Sequence, residues 1–92
     1  MIAFVRCRCT IFHAQSLKDK RSVLKSTLTR MKQRFNISVA ELDLHDVWQR
    51  TEIGIAAVGV TRKQADKELQ KALDMLEQND RLEVTDTVFE WL

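Results

Sequence analysis

The sequence predicts an α+β fold of six elements in the order strand, helix, strand, strand, helix, strand. Three observations predict it. Residues 1–14 alternate at period two, the spacing at which successive side chains of a strand take opposite faces. Residues 16–35 and 61–80 repeat their apolar residues three and four apart, as a helix of about 3.6 residues per turn requires. The stretches 37–60 and 81–92 are rich in β-branched and aromatic residues, the types that fit a pleated surface.

In the first strand Val5, Cys7, Cys9 and Ile11 take one face, and Phe4, Arg6, Arg8, Thr10 and Phe12 take the other. The first face is expected to meet the helices. Cys7 and Cys9 are the only cysteines. Two residues apart on a strand they point the same way, which suits them poorly to a mutual disulfide. No second pair is present to close a metal site. They read as small buried thiols in a core strand, and no metal is expected.

The first helix is the stretch SLKDKRSVLKSTLTRMKQRF. Leu17, Leu24, Leu28, Met31 and Phe35 form its apolar stripe. Ser16 with Asp19 three residues on is a capping box, and Asn36 is a plausible stop. Lys18, Arg21, Lys25 and Lys32 run along one border of the stripe, and Arg30 and Arg34 lie beyond the other. Ser22, Ser26, Thr29 and Gln33 lie between them, facing away from the core. With Lys20 the segment holds seven basic residues against one acid, Asp19, a balance of +6. Two readings of this surface stand side by side: a solvated outer face, or a surface that binds phosphate.

Residues 37–44 form the second strand. Its apolar residues fall on both parities, while Glu41 and Asp43 share one. A turn is expected at residues 45–47, then a third strand over residues 48–60. That strand is apolar on both faces, which suits the centre of a sheet or one covered by a partner. It carries the chain's two glycines, Gly54 and Gly59, and a strand glycine often marks a bulge or a close backbone approach. Trp48 and Arg50 follow the turn. Trp48 fits a packing anchor at the sheet edge, and both are residue types enriched at interface hot spots.

The second helix begins with another capping box, Thr61 and Gln64. Ala65, Leu69, Ala72, Leu73 and Leu76 form its stripe, and Asn79-Asp80 ends it. In the fourth strand, residues 81–92, Leu82, Val84 and Val88 share one parity and Thr85, Thr87, Phe89 and Trp91 the other. The economical packing of these six elements is a ferredoxin-like split βαβ sandwich. It has a four-stranded antiparallel sheet of order 4-1-3-2 and both helices on one face, with right-handed crossovers. Residues 1–92 are expected to make a single domain.

Hydrophobic residues are 45% of the chain and charged residues 30%, an ordinary globular composition. No apolar run approaches the roughly 20 residues of a membrane helix. Arg6 and Arg8 interrupt what would be the apolar region of a signal peptide, so a cytoplasmic location and no membrane partner are expected. Residues 1–50 balance to +6 and residues 51–92 to −4, so the molecule is expected to be electrically two-sided.

A glycine-rich phosphate loop, a His-Glu-x-x-His motif and a nucleophile elbow are all absent, so neither an enzyme nor a cofactor nor a small-molecule substrate is expected. Asp43 and Asp46 beside His45 would need a cleft and a second partner to act as acid–base machinery. The open face of the sheet is expected to collect Phe4, Arg6, Arg8, Thr10, Phe12, Glu83, Thr85, Thr87, Phe89 and Trp91. Such a face can stack single-stranded bases, although the aromatic signature of RNA-recognition modules is missing. Alternatively Glu41, Asp43, Glu52 and Glu83 neutralise the arginines across strands, or a second copy covers the face.

The segments SLKDKRSVLKS, RFNISVAELD and DVWQRTEIGIAAV resemble the YlxP-like family of small bacterial proteins, a domain of unknown function, over nearly the whole chain. The last dozen residues are the least diagnostic. The resemblance implies a ferredoxin-like fold and a cytoplasmic bacterial protein, encoded beside translation-initiation and ribosome-binding factors. It brings no catalytic residues and no cofactor.

The leading expectation is thus a non-enzymatic factor associated with RNA or the ribosome. Lys18, Lys20, Arg21, Lys25, Arg30, Lys32 and Arg34 would contact phosphates, and Ser22 and Ser26 would add hydrogen bonds to phosphate or sugar. The alternative is a protein-interaction or homodimerisation module built on Phe4, Arg6, Arg8, Phe12, Trp48, Arg50, Phe89 and Trp91, with no nucleic-acid role.

Overall fold

The computed structural model describes residues 1–92. Its elements are β1 (Ile2–Ile11), α1 (Leu17–Arg34), β2 (Ile37–Asp43), β3 (Arg50–Val58), α2 (Arg62–Glu77) and β4 (Leu82–Trp91). The strands form one antiparallel sheet of order β2-β3-β1-β4, the expected 4-1-3-2 read from the opposite edge. The fold is α+β.

The period-two pattern of β1 is carried into packing. Ala3, Val5, Cys7, Cys9 and Ile11 are buried and join Val39, Ile53, Ile55, Ala57 and Leu82 from the other strands. Leu24 and Met31 of α1 and Ala65, Leu69, Ala72, Leu73 and Leu76 of α2 close on the same side. The core therefore lies between one face of the sheet and both helices. Burial pushes the thiols of Cys7 and Cys9 up to about 12, because a thiolate loses its hydration there. No helix is long and apolar enough to cross a membrane.

Both helix starts form where the caps are. The Asp19 amide donates to Ser16 Oγ at 3.0 Å and the Gln64 amide to Thr61 Oγ1 at 3.2 Å. The return bonds come from one residue further out than a capping box places them: the Gln15 amide reaches Asp19 Oδ2, and the Val60 amide reaches Gln64 Oε1. The α2 stripe is the one expected. The α1 stripe is so only at Leu24 and Met31: its buried residues are Lys20, Leu24, Thr27 and Met31, while Leu17, Leu28 and Phe35 flank them half-buried.

Two β-bulges re-aim side chains that simple alternation places elsewhere. In β4, Arg8 pairs with Asp86 but Cys9 pairs with Val84, leaving Thr85 as the extra residue. Its hydroxyl donates to the Arg8 carbonyl at 3.1 Å. Beyond it Thr87, Phe89 and Trp91 oppose Cys7, Val5 and Ala3, so they lie on the helix side of the sheet and not on its open face. Val88 moves the other way, opposite Arg6, and is exposed. In β2, Glu41 opposes Ile53 and Asp43 opposes Glu52, with Leu42 extra. Glu41 and Asp43 therefore take opposite faces, not one.

The β2–β3 connection spans residues 44–49 and is longer than the turn expected. Trp48 lies in it, 49% exposed, and does not begin the third strand. The close approach expected at a glycine is found at Gly54. An added Cβ would stand 2.6 Å from Leu42 Cδ1 and 3.1 Å from Phe4 Cε2, so Leu42 and Phe4 lie across the open face of β3.

Candidate nucleic-acid interface

The outward face of α1 is built as its sequence spacing dictates. Lys18, Arg21, Ser22, Lys25, Ser26, Thr29, Arg30, Lys32, Gln33 and Arg34 are all exposed. Ser22, Lys25, Ser26, Thr29 and Arg30 line a shallow depression of about 410 Å³. Three hydroxyl side chains and two cations thus lie side by side on this face, the donor types that meet a phosphate oxygen. Arg30 Nε donates to the Ser26 carbonyl at 3.4 Å, which holds the guanidinium along the helix. The Arg34 guanidinium lies 5.7 Å from the centre of the Phe35 ring.

These cations are not spent within the molecule. The ion pairs of the chain involve Arg6, Arg8, Lys20, His45, Arg62, Lys71 and Arg81, and none involves Lys18, Arg21, Lys25, Arg30, Lys32 or Arg34. The one acid of the segment, Asp19, is engaged by Arg81 Nη2 at 3.3 Å. A cation without a counterion on the protein exchanges only mobile salt when a phosphate arrives.

Lys20 is the exception, and it corrects the expected set. It is fully buried. Its Nζ donates to the Leu44 carbonyl at 2.6 Å and lies 3.1 Å from Glu41 Oε2. It is a structural cation under α1 with no path to a phosphate. The missed signal was its spacing: residues 20, 24, 27 and 31 repeat at four, three and four, so Lys20 belongs to the apolar stripe.

Sequence reasoning also missed the neighbours of the strip. Arg81 and Asn79, from the α2–β4 connection, share a second depression with Asp19, Ser22, Ser26 and Arg30. Asn79 Nδ2 donates to Thr27 Oγ1 at 3.1 Å, and Arg81 Nε donates to the Phe12 carbonyl at 3.0 Å. The first bond, with the Arg81–Asp19 pair, fixes the connection against α1, and the second ties it to the end of β1. No local pattern places residue 81 beside residue 19; only the sheet register does.

The eight residues expected on an interaction face do not share a surface. Phe4, Arg6 and Arg8 are on the open face, where Arg8 Nε lies 3.3 Å and Arg6 Nε 3.9 Å from the carboxylate of Glu52. Glu52 is 8% exposed, so of the proposed cross-strand acids it is Glu52 that neutralises both arginines. Arg50 stands opposite Thr10 on the same face, and Phe12 projects past the end of β1. Trp48 is in the β2–β3 loop. Phe89 and Trp91 stack on the helix side, ring centres 6.3 Å apart. The Arg62 guanidinium lies 4.2 Å over the Trp91 ring, whose Nε1 donates to Asp66.

Comparison with known proteins agrees with the sequence resemblance. Residues 2–89 match the family described as Protein of unknown function (DUF503). The chain is similar to the protein described as Uncharacterized protein YlxP of Bacillus subtilis (strain 168), 48% identical over 91 residues and covering 99% of each chain. The chain belongs to the DUF503 family of proteins of unknown function.

Proposed function

We propose that this protein is a non-enzymatic RNA- or ribosome-associated factor, a ferredoxin-like βαββαβ module that binds the phosphate backbone through the outward face of α1. One observation carries the reading: Lys18, Arg21, Lys25, Arg30, Lys32 and Arg34 are exposed, make no ion pair, and share the helix face with the exposed hydroxyls of Ser22, Ser26 and Thr29. A solvated helix of ordinary composition intersperses both signs. Phosphate contacts of this kind position a nucleic acid and carry little sequence information, so modest selectivity is expected. Ribosomal RNA as the target rests on the family resemblance.

The test is binding to ribosomal RNA and to purified ribosomal subunits across a salt titration. The expected result is an affinity that falls steeply and linearly in log–log form, the slope counting the phosphates neutralised. No binding at low salt would make the basic face a solubility feature and overturn the reading.

A second reading is favoured by a separate observation. Leu42, Val58 and Val88 are exposed on the open sheet face, Leu42 against Gly54 and Val88 opposite Arg6. A protein-interaction module with no nucleic-acid role would use that face. Substituting Leu42 and Val88 by Asp distinguishes the two: it leaves RNA affinity unchanged under the first and removes partner binding under the second.

A further inference from the structure

We infer that the outer edge of β4 is a self-pairing edge that takes β4 of a second copy of this chain, joining two sheets into one of eight strands. The inference is independent of the nucleic-acid reading. β4 is hydrogen-bonded only to β1, so one row of its backbone groups has no partner. Leu92 exchanges both bonds with Ile2, at 2.8 and 3.0 Å. Alternation along an antiparallel ladder then turns the backbone groups of Glu90, Val88 and Asp86 toward β1, and those of Trp91, Phe89 and Thr87 outward.

Free edges are usually guarded by Lys, Pro, a covering element or a short, bulged strand. The other edge of this sheet, β2, is the shorter strand: it is seven residues long against ten for β4, and is bulged at Leu42. Beyond its own bulge, β4 has neither Lys nor Pro. It exposes Val88 on the open side and Phe89 and Trp91 on the helix side, with Leu92 at its end. Apolar side chains exposed on both sides of one unpaired edge mark the edge itself, not either face.

The occupant follows from charge and register. A two-fold pair must be self-complementary, and the outward groups must meet outward groups. Centring the two-fold axis on Phe89 pairs it with Phe89 of the second copy, and Thr87 with Trp91. Val88 then faces Glu90, and Asp86 faces Leu92. Slipping the register two residues one way sets Asp86 against Glu90. Slipping it the other way sets Glu90 against Glu90. Like charges directly opposite are unfavourable, so the acidic residues of β4 select the Phe89-centred pair. The axis runs perpendicular to the sheet, which keeps all four helices on one side. Because α1 packs beside β2, its basic face stays at the far end of each half.

The experiment is sedimentation across a concentration series to about 100 μM, enough to complete a micromolar dimer, with two variants. Thr87→Pro removes an outward N–H and no hydrogen bond of the β1–β4 ladder. Phe89→Cys places two thiols at a hydrogen-bonded pair, where Cα atoms are about 5.5 Å apart, within disulfide reach. Cys7 and Cys9 are buried and do not compete. The expected result is a wild-type dimer, a folded monomer for Thr87→Pro, and a disulfide-linked dimer on oxidation of Phe89→Cys. A wild-type monomer at the top concentration overturns the inference. So does a dimer that survives Thr87→Pro and does not cross-link through Phe89→Cys. Should Thr87→Pro fail to fold, the cross-link decides: its formation supports the pairing and its absence overturns it.

Discussion

Lys20 Nζ donates to the main-chain carbonyl of Leu44 at 2.6 Å, from a side chain with no exposed surface. Leu44 is in the left-handed region at φ 64°, so its carbonyl is turned out of the strand path toward α1. Glu41 Oε2 at 3.1 Å and the His45 carbonyl at 3.5 Å are the other acceptors of the ammonium. Glu41 Oε2 also accepts from Thr51 Oγ1 at 2.6 Å. The group pins the β2–β3 loop to the first turns of α1. Removing one partner of a buried pair leaves the other charge uncompensated, at a cost of about 3–5 kcal/mol. Lys20→Met is expected to lose stability on that scale in urea denaturation, and Lys20→Met with Glu41→Gln to recover part of it. Any loss of RNA affinity in Lys20→Met beyond the unfolded fraction would contradict the placement of Lys20.

Much of this fold is legible in the sequence because periodicity reports burial. The odd residues of β1, the stripe of α2 and the centrality of β3 can all be read from spacing alone. What cannot be read is where the period breaks. The bulges at Thr85 and Leu42 each insert one residue without a composition signal, and each reverses the facing of the residues beyond it. Phe89, Trp91 and Asp43 are misplaced for that reason. Lys20 fails differently: charge suggests solvent while spacing places it in the core, and spacing wins because Glu41 and two carbonyls supply the acceptors. The outward strip of α1 is legible because it depends on one helix and no register.

The two core thiols make stability fall at alkaline pH. Burial raises Cys7 and Cys9 from 9.0 to about 12 in the folded chain, so between those values the unfolded state holds fewer protons than the folded one. Their contribution is complete below pH 9 and is lost as pH rises toward 12, at about 1.4 kcal/mol per pH unit for each thiol. The double variant Cys7→Ala, Cys9→Ala is expected to be less stable at pH 7 but to show a shallower decline from pH 9 to 11. At pH 8 both wild-type thiols should resist a disulfide reagent until the protein is denatured. Rapid labelling of the native protein would contradict their enclosure.

The two glycines of the chain should respond differently to alanine. At Gly54 an added Cβ meets the Leu42 side chain and the edge of the Phe4 ring; Leu42 is 41% exposed and can swing outward. Some of that cost is offset by the entropy a strand glycine loses on folding, so Gly54→Ala should change stability by less than about 1 kcal/mol. At Gly59 the same atom would stand 2.6 Å from the backbone nitrogen of Ala65 and 3.0 Å from the Thr61 carbonyl. The first turn of α2 cannot yield without breaking its cap, so Gly59→Ala should cost about 1–3 kcal/mol, as overpacking does. Equal midpoints in thermal unfolding would contradict the distinction.

The outward face of α1 can be altered without touching the core, because Arg21, Lys25 and Lys32 are exposed and unpaired. Their replacement by Ala should leave the unfolding midpoint within about 0.5 kcal/mol of wild type, as for surface positions generally. Removing one cation from a phosphate should flatten the log-affinity against log-salt slope by about 0.7 on single strands and about 0.9 on duplex. The triple Ala variant should therefore lose about two to three units of slope, and the triple Glu variant should not bind. Lys63→Ala and Lys67→Ala, exposed on α2, serve as the comparison and should leave the slope unchanged. If the α2 pair flattens it as much as the α1 set, attraction comes from net charge alone. The exposed hydroxyls supply the remaining discrimination: Ser22→Ala with Ser26→Ala removes donors and no charge, so affinity should fall at every salt concentration while the slope holds.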